Sequence, residues 1–165
     1  MQHVQTRSTT SALVLTAVLI ALATLFTMYT KIPVPGIRGY FNVGDVVIMT
    51  SALLLGRKYG AYIGAIGPAL ADLFLGYAVF VPITFVVKGI EGYLVGTVYN
   101  NKTTTSALVA TIVGGIIIVA GYFIAEYFIF DPGVAIAGIL TNTIQAVMSV
   151  IISMILYAIL CKRLG

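Results

Sequence analysis

Apolar residues run along this chain in long blocks separated by short polar stretches, and block length carries the first prediction. A helix that crosses the hydrocarbon core of a bilayer needs about 20 largely apolar residues. The blocks at 12–29, 59–77, 79–100, 106–130 and 134–161 are of that order, and each predicts a membrane-spanning helix. The block at 43–55 is shorter, so its helix is expected to be tilted, extended by its flanks or partly re-entrant. The first block follows a polar tail and is too long for the hydrophobic region of a cleaved signal peptide, although Ala21-Leu22-Ala23 imitates a cleavage site; a retained helix is expected. Between the first two blocks, residues 31–42 carry Pro33, Pro35, Gly36 and Gly39, which exclude helix and predict an ordered loop. Gly56-Arg57-Lys58 predicts a tight turn, residues 100–105 a polar turn, and Asp131-Pro132-Gly133 a break before the last helix. Pro82 falls in the first turn of its helix, where a missing N–H matters least.

Composition turns this pattern into a class. Of 165 residues, 60% are hydrophobic and 8% charged, with a mean hydropathy of +1.09. A water-soluble surface needs roughly a quarter of charged residues, so a soluble enzyme is excluded and an all-α integral membrane protein is expected, a bundle of six transmembrane helices forming one domain over residues 1–165. No internal repeat stands out, which gives no support to an inverted-repeat carrier. His3 and Cys161 are alone of their kinds, so neither a disulfide framework nor a Cys/His metal centre is expected, and no cofactor is assigned to the chain. Six spans put both termini on one side. With that side cytoplasmic, Arg7, Arg57, Lys58, Lys102, Lys162 and Arg163 lie inside and only Lys31 and Arg38 outside. The net charge of +4 is then a topological bias toward the inner face rather than a nucleic-acid surface. There is no Trp, and Tyr29, Tyr40, Tyr59, Tyr77, Tyr99 and Tyr157 fall near span ends, where they supply an interfacial belt.

Against this apolar background the ionisable and amide residues within spans stand out, because each costs on the order of 2.5–3.5 kcal/mol on insertion scales. They are Asp72, Lys88, Glu91, Glu126, Asn142 and Gln145. On the six-span topology all fall in the outer half of the membrane, which argues against a channel or proton wire and for a pocket that opens outward. Thr84, Lys88 and Glu91 share one helix face, with Gly89, Gly92 and Gly96 on an adjacent stripe suited to close helix packing. Tyr122 pairs with Glu126 at i, i+4, and Asn142 with Gln145 at i, i+3. Two readings stay open: Lys88 with Asp72 or Glu91 is either a packing ion pair or a ligand contact, and Asn142 and Gln145 are either interhelical bonds or ligand contacts. Asp72 could also support the neighbouring outer loop. Asp45, after Asn42-Val43-Gly44, is expected as a helix N-cap. Gly60-xxx-Gly64 and Gly92-xxx-Gly96 are expected as packing faces.

Pro33-Val34-Pro35-Gly36, Gly39 through Asp45, Leu55-Gly56-Arg57-Lys58-Tyr59-Gly60, Gly67-Pro68-Ala69-Leu70-Ala71-Asp72, Lys88-Gly89-Ile90-Glu91-Gly92 and Asn142-Thr143-Ile144-Gln145, in this order and spacing, resemble the substrate-binding S components of energy-coupling factor (ECF) vitamin transporters. The resemblance spans most of the chain and is nearest to members for riboflavin, hydroxymethylpyrimidine or pyridoxine-like compounds. It implies a subunit that captures a vitamin or precursor outside the cell and docks on a transmembrane coupling subunit driven by two cytoplasmic ATPases, which hydrolyse the ATP. It further implies a lid at residues 31–42, with Pro35, Gly36, Tyr40 and Asn42 near the ligand, and a docking surface at Ala17-xxx-Ala21. The substrate-binding set expected on this basis is Thr84, Lys88, Glu91, Tyr122, Glu126, Asn142 and Gln145, with Asp72 and Asp45 in support. Thiamine-binding members rely on Trp around the ring, which this chain lacks. The alternatives are a self-sufficient small-molecule carrier or a membrane enzyme, for which the sequence offers no paired carboxylates and no nucleophile with its base.

Overall fold

The structure, a computed structural model, describes residues 9–33, 40–99 and 103–164. Its helices are α1 (Thr9–Tyr29), α2 (Gly44–Leu55), α3 (Arg57–Phe74), α4 (Phe80–Val98), α5 (Thr104–Ile129) and α6 (Pro132–Leu164). Two short strands, β1 (Ile32–Pro33) and β2 (Tyr40–Phe41), pair antiparallel and pinch together the two roots of the loop predicted at 31–42. Helix ends follow local chemistry. The Thr103 hydroxyl accepts the Ser106 N–H at 3.1 Å to cap α5, and the Asp131 carboxylate accepts the N–H groups of Gly133 and Val134 at 2.8 and 3.0 Å to start α6.

Among the described residues α1, α4, α5 and α6 are long and apolar enough to cross a membrane. The two helices that fall short of that test do so for different reasons. α3 has the length but is diluted by glycine and polar residues. α2 has only 12 residues, and ten of them, from Gly44 through Leu53, are buried. It packs against all five other helices, so it is the inner post of the bundle rather than a lipid-facing span. That explains the short block at 43–55: a helix surrounded by protein is not held to bilayer thickness. The polar corner expected at Gly56-Arg57-Lys58 is made by Gly56 alone, with φ 88° and ψ 178° in a region open essentially to glycine. Arg57 already begins α3, and its guanidinium lies 5.8 Å from the centre of the Tyr93 ring.

α3 and α4 form the tightest pair, and the two glycine motifs are the reason. A Cβ on Gly60 would lie 2.6 Å from the Gly92 carbonyl oxygen, and one on Gly96 would lie 2.5 Å from the Arg57 Cα. Likewise, a Cβ on Gly64 would run into the Lys88 carbonyl and one on Gly92 into that of Gly60. Backbone thus meets backbone, as the spacing predicted. This approach holds the polar face of α4 against α2 and fixes the position of Lys88. Among the described residues α1 packs on α2 and α3 only, and α5 packs chiefly on α4 and α6.

Candidate functional site

A cavity opens at the end of the bundle where α1, α3 and α5 finish and α2, α4 and α6 begin, beside the β1–β2 bridge. With its open mouth it encloses about 530 Å³. Its floor is a buried polar cluster. The Lys88 ammonium, on α4, is ion-paired with Asp45 on α2, and Glu91 Oε2, one turn along, lies 3.6 Å from Lys88 Nζ. The second oxygen of Asp45 accepts the Gln145 side-chain N–H at 2.7 Å. Gln145 Oε1 in turn accepts the Asn42 backbone N–H at 3.0 Å. Asn42 Oδ1 accepts the Gly44 N–H at 2.8 Å, closing the start of α2, while the Thr30 hydroxyl accepts the Val43 N–H at 3.0 Å. The root of the loop, α2, α4 and α6 are therefore joined by one chain of bonds.

The walls carry both polar and aromatic groups. Tyr122 on α5 exchanges a 2.9 Å hydrogen bond with Thr84, and Lys88 Nζ sits 5.4 Å from the centre of the Tyr122 ring. Asp72, Glu126, Asn142 and Phe80 line the same space. Phe80 stacks at a tilt on Phe130, with centroids 5.5 Å apart, and edge-on against Tyr77 at 6.4 Å. Lys31, at the root of the loop, lies 5.1 Å from the centre of the Tyr77 ring. Glu126 is buried, and its Oε2 has no hydrogen-bond partner among the described residues. A Cβ on Gly138 would run into that oxygen, so the glycine makes room for the carboxylate.

Of the expected binding residues, Thr84, Lys88, Tyr122, Glu126, Asn142 and Gln145 converge on the cavity. Glu91 does not line it. It sits one helical turn deeper, against Lys88 and beside Gly114, because the face shared with Lys88 turns toward α5 at that level. Asp45 is not an N-cap: Val43 occupies that position without a side-chain bond, Asn42 serves the first free N–H, and Asp45, inside the first turn, points inward to Lys88. The ion partner expected for Lys88, Asp72 or Glu91, is thus chiefly Asp45. Asn42 is buried and lines the cavity. Tyr40 is described only as backbone in β2, and Pro35 and Gly36 lie outside the described residues. Ala17 and Ala21 are exposed on the outer face of α1. Sequence reasoning missed Thr27, Pro68, Phe80, Gly138 and Thr141 as lining residues.

Four of the five acidic residues, Asp45, Asp72, Glu91 and Glu126, are buried, against Lys88 as the one buried cation among the described residues. Such an imbalance favours a guest that donates hydrogen bonds and disfavours an anion. A membrane-embedded helical bundle with a concave, polar-floored, aromatic-walled cavity at one end is the architecture of a small-molecule binding protein.

The chain belongs to the family of ECF-type riboflavin transporter S components, whose model matches residues 7–162. It is therefore an integral membrane transporter subunit and not an enzyme. It is 41% identical over 145 residues to an uncharacterised protein of Pyrococcus woesei, covering 86% of this chain and 96% of that one. It is 31% identical over 143 residues to the thiamine precursor transporter HmpT of Lactococcus lactis subsp. cremoris (strain MG1363), covering 86% and 80% respectively. The fold matches that of a solved S component of a bacterial ECF transporter, with a TM-score of 0.78 over 94% of this chain and 98% of the other at 19% identity.

Proposed function

We propose that the cavity captures a small, planar, donor-bearing heterocycle of the hydroxymethylpyrimidine kind from outside the cell. The observation that carries the reading is Glu126 Oε2, a buried carboxyl oxygen at the cavity wall with no hydrogen-bond partner among the described residues. A ring nitrogen beside an exocyclic amino group offers a paired edge to a carboxyl group, which accepts from the amino N–H and shares one proton with the ring nitrogen, held on either partner. Asn142 on the neighbouring helix supplies a second adaptable amide, and Phe80 and Tyr122 supply ring faces for stacking. The relative named as a thiamine precursor transporter agrees with this class. Riboflavin is the second reading, favoured by the description of the matching family.

All six helices cross the membrane in this reading, α2 and α3 within the shelter of the others, and both termini are cytoplasmic, which accords with the excess of Lys and Arg on that side. The cavity then faces outward, under a lid formed by residues 31–42. Ala17 and Ala21 meet a transmembrane coupling subunit, and two cytoplasmic ATPases supply the work; the chain itself carries no cofactor.

The purified chain in detergent is to be titrated with hydroxymethylpyrimidine, its phosphate ester, pyridoxine and riboflavin while the melting temperature is followed, since a guest bound only by the folded state raises it by mass action. The expected result is stabilisation by the free pyrimidine and none by its phosphate, with Glu126→Gln weakening the response. Stabilisation by the phosphate ester, or by none of the four, overturns the assignment. Stabilisation by riboflavin alone transfers it to the second reading.

A further inference from the structure

Thr27 is the second polar side chain that the cavity leaves unpartnered, and it comes from the opposite wall to Glu126. It lies near the end of α1, is 1% exposed, lines the cavity, and its hydroxyl has no hydrogen-bond partner among the described residues. Threonines elsewhere in α1 and just past its end behave differently. Thr16, Thr24 and Thr30 each donate to the carbonyl four residues earlier, at 2.7, 2.9 and 2.5 Å, as a threonine hydroxyl in apolar surroundings ordinarily does. Thr27 forgoes that bond. Its Oγ1 occupies the place a Cβ would take on Gly44, so the first turn of α2 is glycine where the hydroxyl projects. A buried hydroxyl left unbonded is unfavourable, and the cavity is where it meets an incoming polar atom.

We propose that Thr27 is a ligand-contacting residue, and that the captured molecule spans the cavity from Glu126 on α5 to Thr27 on α1. This rests on the reading of the cavity as a binding site and extends it to a helix that the candidate set did not include. α1 touches neither α5 nor α6 directly, so a molecule held at both ends is a bridge between them. The same helix presents Ala17 and Ala21 on its outer face, about 15 Å and about 9 Å along the axis from Thr27. A ligand that steadies α1 from within therefore acts on the helix a partner would meet from without, and any such coupling is reciprocal.

The test compares wild type, Thr27→Val and Thr27→Ser in detergent, using hydroxymethylpyrimidine and riboflavin as probes in calorimetric titration, with melting of the ligand-free proteins and hydrogen exchange along α1. Valine keeps the shape and removes the hydroxyl. The expected result is binding weakened about 3- to 15-fold by valine, affinity within about twofold of wild type for serine, and a ligand-free melting temperature for valine no lower than wild type. Ligand is expected to slow exchange in α1 of the wild type and to lose that effect in Thr27→Val at saturation. Wild-type affinity in the valine variant overturns the proposal, as does a loss of affinity matched by a fall in ligand-free stability, which marks a packing role. A wild type that binds neither probe, and none of the four compounds named above, overturns the ligand reading of the cavity and this proposal with it, whereas retained binding by wild type and valine alike overturns this proposal alone.

Discussion

Removing Lys88 and removing Asp45 should have effects of different size, and their combination should reverse a sign. Both side chains are essentially inaccessible, at 2% and 0% exposure. Lys88→Met leaves two buried carboxylates, Asp45 and Glu91, without their cation. Breaking a buried pair in this way costs about 3–5 kcal/mol, or about 6–20 °C in melting temperature for a chain of this length. Asp45→Asn keeps the shape and the bond to Gln145, and the ammonium still has Glu91 Oε2 at 3.6 Å, so its cost is expected to be smaller. In the Lys88→Met background, however, Asp45→Asn removes one of the two stranded carboxyl groups and should raise the melting temperature. The assay is a double-mutant cycle on ligand-free protein in detergent, by scanning fluorimetry with a size-exclusion check that each variant is folded. If Asp45→Asn lowers stability equally in both backgrounds, the two side chains are not energetically coupled and the cluster is not the ionic floor described above.

Three further outcomes test other parts of the structure. Gly92→Ala should destabilise by about 1–3 kcal/mol or more, because its Cβ would press on the Gly60 carbonyl where α3 and α4 meet; thermal melting reads this, and a wild-type curve would contradict the backbone-to-backbone contact. Gly56→Ala meets nothing within 4 Å, yet should still cost about 1–3 kcal/mol because of φ +88°, so a neutral substitution would mean that the corner is not held in that conformation. Ala17→Trp lies on an exposed face and should leave ligand affinity within about twofold while abolishing uptake in cells that contain the coupling subunits; loss of binding by the isolated chain would show that this face serves the fold instead.

The parts of this fold legible in the sequence are those that a one-dimensional signal fixes. α5 was expected at 106–130 and spans Thr104–Ile129, because a long apolar block bounded by a threonine cap and Asp-Pro-Gly has few alternatives. That both glycine pairs are packing faces was legible, because glycines at i, i+4 serve little purpose except close approach; that the two faces meet each other is what the structure adds. α2 was harder: a short apolar block reads alike whether it is tilted in lipid or enclosed by protein, and only the tertiary contacts distinguish the two. The partner of Lys88 was illegible for a related reason. Asp45 lies 43 residues away on that buried helix, and its position after Asn42 gave it a local use as a cap that is physically reasonable and does not occur. Thr27 carried no signal, since threonine in an apolar helix is ordinary when it bonds backward along the helix, and nothing in the sequence marks the one that does not.

The difference between bonded and unbonded polar groups divides the cavity by role. On the floor, Asp45, Lys88, Gln145 and the Asn42 backbone satisfy one another across α2, α4, α6 and the root of the loop, and Glu91 beneath them is held by Lys88 at 3.6 Å without a hydrogen bond of its own among the described residues. Gln145, read from sequence as able to contact a ligand, already has a partner for its oxygen and one for its nitrogen, so its principal effect is to hold the loop root against α2. On the walls, Glu126 and Thr27 are buried with an oxygen unbonded among the described residues, from helices that do not pack on each other. Thr50, Ser149 and both oxygens of Glu91 are also buried without a hydrogen-bond partner among the described residues, but away from the cavity lining; Glu126 and Thr27 alone of this group line the cavity, where an incoming molecule can complete them. The floor therefore sets the shape of the site without a ligand, and the walls are where a ligand gains affinity. Substitutions in the floor should accordingly move stability first and affinity second, while substitutions at Glu126 and Thr27 should move affinity with stability unchanged or improved.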